Sequence, residues 1–101
     1  MNDDPIVVKV DPMLAEIVPS FLERCKQTVA EVRDALGSGD LAVARRIGHA
    51  LHGSAGSFGF EEMAGIGREI ERAAREGNTA TLATLADALD RHVSRVRPVF
   101  E

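Results

Sequence analysis

Apolar residues recur along this chain at steps of three and four, and only short turns break the pattern. Val18, Phe21, Leu22, Cys25, Val29, Val32 and Leu36 make one such stripe. That spacing follows the helical repeat and does not fit a strand, whose side chains alternate with period two. "GSGD" at 37–40 then closes the helix with glycine and opens the next with Asp40 as N-cap. A second stripe over 41–58 holds Ala44, Ile47, Leu51, Ala55 and Phe58, and after Gly59 a third holds Phe60, Met63, Ile66, Ile70 and Ala73. "EGN" at 76–78 ends that segment, and Asn78 or Thr79 caps a last helix carrying Leu82, Leu85, Ala86, Leu89, Val93 and Val96. Glu71 with Arg75 and Asp87 with Arg91 have the spacing of surface ion pairs within one helix.

Long amphipathic helices joined by short loops pack as antiparallel neighbours. Upstream, residues 1–10 read as an extended lead-in, and Asp11 followed by Pro12 starts a short helix over 12–17. Pro19 interrupts that pattern and sets a fresh start near residue 18. The expectation is an all-α fold: an up-down antiparallel four-helix bundle with a short extra N-terminal helix, spanning 11–101 after the lead-in.

The chain has 101 residues, a length for one domain with a single core. With four Phe and neither Trp nor Tyr, that core is aliphatic. A net charge of −4 and the lack of stacking aromatics argue against nucleic-acid binding. "MNDDPIVVKVD" is too short in apolar residues and too acidic for a signal peptide, and no run approaches the roughly 18 apolar residues of a membrane span. The single cysteine suits a reducing compartment, so a cytoplasmic location and no membrane partner are expected; on the core stripe it reads as a small hydrophobe.

The chemically informative stretch is "GHALHGSAGSFGF" at 48–60. It spends glycines at 48, 53, 56 and 59 within a helical pattern, although each mid-helix glycine costs about 1 kcal/mol relative to alanine. At 100° per residue, His49 falls about 140° from the centre of the apolar arc and faces solvent. Arg45, Gly53 and Gly56 share that outward face, with His52 on the flank nearer the core boundary. Gly48 lies on the core side, where it lets a neighbouring helix approach. An exposed imidazole with a free ring nitrogen is a nucleophile near neutral pH. Arg45, Arg46 and His52 supply positive charge beside it, and Gly53 and Gly56 leave room for a donor protein. His92, at the edge of the last stripe, reads as a boundary residue.

This stretch resembles the signature of histidine-containing phosphotransfer (HPt) domains, roughly His-x-Leu-Lys-Gly-Ser followed by small residues and a glycine. His49, Leu51, Gly53, Ser54 and Gly59 fall at the matching places, and helix order and loop placement agree over roughly residues 8–100. The resemblance implies a phosphorelay intermediate, not a kinase. His49 would take a phosphoryl group from the aspartate of a receiver domain and pass it to another, with Gly53 where the receiver packs. The partners implied are response-regulator receiver domains and a hybrid sensor histidine kinase, with the carrier a monomer. No cofactor of its own is expected, Mg²⁺ belonging to the receiver. Where relatives commonly keep lysine, this chain has His52. Lysine is a constant cation whereas histidine is charged only in part near neutral pH, so transfer is expected to be more pH-sensitive here.

Three other readings carry less. A metal site from His49 and His52 lacks a third ligand, since Glu61 and Glu62 lie past the helix end and Cys25 faces the core. A non-catalytic adaptor that binds a receiver without transfer is the alternative function. A classical enzyme has no phosphate-cradling loop and no paired carboxylates to support it. The length suits a free-standing shuttle, and equally a domain excised from a hybrid kinase.

Overall fold

In the computed structural model, which describes residues 4–101, four helices form a bundle: α1 (Val18–Ser38), α2 (Leu41–Ser57), α3 (Glu61–Arg75) and α4 (Thr79–Arg95). Their ends are set by the turn residues. Gly39, left-handed at φ 73°, closes α1. The Asp40 and Asn78 side chains accept the backbone N–H of Val43 and Thr81, capping α2 and α4. Gly59, at φ 87°, turns α2 into α3. The first turn of α3 holds Glu61 and Glu62 and its last turn Arg72 and Arg75, signs that suit the helix dipole.

The apolar stripes meet in an aliphatic core that includes Val18, Val32, Leu51, Met63, Ile70, Leu82 and Leu89. Cys25 is buried there with its thiol against Met63 Sδ at 3.5 Å. Burial pushes that thiol up to about 11, so it stays protonated and unreactive at neutral pH. The main contacts join α1 to α2 and α4, and α3 to α2 and α4.

The α2–α3 seam is the tightest. A Cβ placed on Gly48 would lie 2.6 Å from Glu71 N and 2.8 Å from Gly67 O. One placed on Gly67 would lie 2.7 Å from His52 N. Neither site accepts a side chain without moving backbone. Since Gly48 abuts Glu71 while His52 abuts Gly67, these two helices run in opposite directions. The α1–α4 contact differs in carrying a surface fork, Arg33 to Asp87 at 2.8 Å and to Asp90 at 3.3 Å.

Four expectations need correction. The short N-terminal helix is a single 3₁₀ turn, Pro12–Leu14, capped by Asp11. A helix through 17 would run its carbonyls into Pro19, which instead sits in the first turn of α1. Second, the fold is not purely helical. The lead-in, of which residues 1–3 lie outside the described residues, supplies β1 (Ile6–Val10), which pairs in parallel with β2 (Val96–Phe100). Val96 therefore leaves the last helical stripe and is extended at ψ 135°, because Pro98 bars a further helical turn. Glu101 N donates to Val10 O, which by alternation turns Pro98 to the outer edge, where its missing N–H leaves no bond unmade. Third, Glu71 and Asp87 pair across helices, with His49 and Arg33, rather than within their own. Fourth, His92 is buried, not at a boundary.

Candidate functional site

The outward face of α2 holds Arg45, Arg46, His49, Gly53 and Gly56, all exposed, with His52 half-buried beside them. The His49 side chain is 76% exposed, and its Nδ1 lies 3.2 Å from Glu71 Oε2. A carboxylate only accepts, so Nδ1 carries the hydrogen in this pair. The neutral ring then keeps its lone pair on Nε2, the nitrogen without a partner among the described residues. Glu71 is largely covered by the α2–α3 seam, its side chain 21% exposed. It reaches His49 because Gly48 lets the backbone of α3 come against α2 at that point.

The glycines divide by role. Around Gly53 a Cβ would meet nothing within 4 Å, and at Gly56 only Ala64 Cβ at 3.9 Å. Packing among the described residues therefore requires neither glycine. They leave bare helix surface along the face of His49, whereas Gly48 and Gly67 serve the seam beneath it. Ser54 and Ser57 return their hydroxyls to the Ala50 and Gly53 carbonyls, which adds no nucleophile.

An open depression of about 660 Å³ beside His49 is lined by Ala42, Arg45, Arg46, His49 and Glu71. Arg45 and Arg46 make no hydrogen bond or ion pair among the described residues. His52 turns elsewhere: its Nδ1–H donates to Ala64 O of α3 at 2.9 Å. The two histidines thus engage separate partners. Among the described residues, no group of three or more His, Cys, Asp or Glu is placed to hold a metal ion.

Glu71 and Gly67 are the site residues that the sequence did not single out. Glu71 had a lysine-like local partner in Arg75 that concealed its cross-helix role. Gly67 was visible as a glycine at a core-facing angle of the third stripe, the counterpart of Gly48.

Fold and site together define a small helical protein with an imidazole, oriented by a carboxylate, on an open surface beside unpaired cations. The family model of the Hpt domain matches residues 16–98, and the chain belongs to that family, whose members take part in His–Asp phosphorelay. No curated protein and no solved structure matches the chain. No helix among the described residues is long and apolar enough to cross a membrane.

Proposed function

We propose that this protein carries phosphoryl groups between receiver domains, with His49 as the acceptor. The observation that supports this most is the exposed imidazole held through Nδ1 by Glu71, on a helix face with two glycines that internal packing does not need. In the transfer, the Nε2 lone pair attacks the phosphorus of an aspartyl phosphate on the receiver. The N–P bond forms as the P–O bond breaks, and the aspartate leaves as carboxylate with the bonding pair. The ring becomes a phosphoryl-imidazolium, and the Glu71 carboxylate offsets its positive charge or takes the Nδ1 proton. Return transfer to a second receiver reverses the same bonds.

Gly53 and Gly56 give the receiver backbone-level access to His49. Mg²⁺ and the acidic residues that transfer needs belong to the receiver, so the carrier is not an enzyme on its own. The upstream source is a hybrid sensor histidine kinase, and the carrier acts as a cytoplasmic monomer built on an up-down bundle.

The test is incubation with a phosphorylated receiver domain and Mg²⁺. An acid-labile, base-stable label that disappears in His49→Ala is expected. Binding without label would instead make the protein a receiver-binding adaptor.

A further inference from the structure

We infer that the phosphoryl oxygens on His49 are held by Arg45 and Arg46, and that His52 is a strut between helices rather than a phosphoryl ligand. This rests on His49 being the acceptor and concerns how that site is charged.

The depression beside the imidazole opens toward the N-terminal side of His49, over Ala42, Arg45 and Arg46, and His52 is not among its lining. Helical side chains lean toward the N-terminus of their helix, so the His49 ring overhangs the turn that bears the two arginines. Several cations of the bundle are committed, Arg24 to Glu31, Arg33 to Asp87 and Asp90, and Arg72 to Glu69; among those that are not, Arg45 and Arg46 are the ones that line the depression beside His49. Arg45 and Arg46 are free to meet an anion. Glu71, the one acid in the depression, is engaged with the Nδ1 side of the ring, away from Nε2.

His52 is committed in the opposite sense. A carbonyl only accepts, so the Nδ1–H bond to Ala64 O survives whether or not the ring is protonated. Ala64 precedes Glu71 by seven residues, so the two histidines engage α3 about 10 Å apart along its axis. His52 also stands at the closest crossing, where Gly67 abuts its backbone. Its ring ties α2 to α3 where no side chain from Gly67 can.

The consequence concerns pH. Guanidinium charge is constant, so the charge that holds the phosphoryl group does not titrate near neutrality. Glu71, Arg45 and Arg46 face His49, and His52 adds nothing to its pH dependence. The sequence pattern, with histidine at the usual lysine position, favours the contrary result.

Phosphoramidate separates the two without a partner protein, because His49 Nε2 displaces ammonia from its phosphorus as the new N–P bond forms. Loading rate between pH 6 and 8, the ³¹P titration midpoint of the phosphohistidine, and melting temperature are the readouts. Arg45→Ala and Arg46→Ala should each slow loading by about two- to fivefold, the size of an exposed charge contact. They should raise the phosphoryl titration midpoint and leave melting unchanged. His52→Ala should lower the melting temperature yet load at the wild-type rate and pH profile, and His52→Lys should keep that profile too. His52→Asn, whose amide restores a donor to Ala64 O, should recover part of the melting temperature. Loading that ignores both arginines, or a pH profile altered by His52→Lys, overturns the inference while leaving His49 as acceptor. An unlabelled His49 in the wild type overturns the acceptor reading itself, and this inference with it.

Discussion

His49 and His92 each stand beside a glutamate of α3, and the two pairs have their burial reversed. At His49 the ring is 76% exposed and its Glu71 carboxylate is tucked into the α2–α3 seam. At His92 the side chain is 5% exposed, and Nδ1 lies 3.6 Å from Glu62 Oε2 on a glutamate that is 69% exposed. The first pair orients an imidazole without enclosing it, which leaves Nε2 as a usable nucleophile. The second encloses the imidazole and leaves Nε2 buried with no partner among the described residues. Burial there lowers the affinity of the ring for a proton; Glu62 opposes the effect and Arg95 adds to it. Residue identity is the same in both places. Which partner is buried decides whether the imidazole serves chemistry or the core.

The largest effect expected breaks this contrast at its centre. His49→Ala should abolish phosphoramidate labelling, while His92→Leu should label as fully as the wild type. Peptide mapping of the label checks both. Next in size is Gly48→Ala. Its methyl would stand 2.6 Å from Glu71 N, and overpacking of that kind costs about 1–3 kcal/mol or more, seen as a lower denaturation midpoint. Since α3 must retreat, Glu71 is drawn off His49 and loading should slow as well. Gly53→Ala is the control: its Cβ meets nothing within 4 Å, so stability should rise by up to about 1 kcal/mol. Smaller again is Glu71→Gln, which keeps an acceptor for Nδ1–H and removes the charge. Loading should fall by about fivefold, the roughly 1 kcal/mol between a charged and a neutral hydrogen bond. An unchanged rate would mean that Glu71 only orients the ring.

How far such pairs can be read from sequence depends on the range of the interaction. The outward angle of His49, the core side of Gly48 and the caps at Asp40 and Asn78 all follow from periodicity within one segment, and the structure agrees at each. Glu71 was hidden because its cross-helix partner is 22 residues away, while Arg75 offered an obvious local one. His92 was misplaced for a related reason: its position is at the edge of the apolar stripe of its own helix, and its burial comes from elements packed around it. The paired strands were out of reach in the same way. β1 and β2 are joined only through contact between opposite ends of the chain, although Pro98 in "VRPVF" already argued against extending the last helix.

The smallest expected effect tests the buried member of the comparison. The proton affinity of His92 is lowered in the folded state, so on lowering the pH through about 6.5 the unfolded chain binds a proton there first. The unfolded state then holds more protons than the native one, and stability must fall as pH falls. The contribution is intact above the ordinary histidine range and fades progressively below it. His92→Leu keeps an apolar side chain in the core and removes the titration. The difference in urea midpoint between wild type and His92→Leu, followed from pH 7.5 to 5, should therefore grow in favour of the variant. Every other group is common to the two proteins and drops out of that difference. A constant difference across the range would mean that Glu62 swings in to meet the charged ring and offsets its burial, making the two histidine–glutamate pairs alike after all.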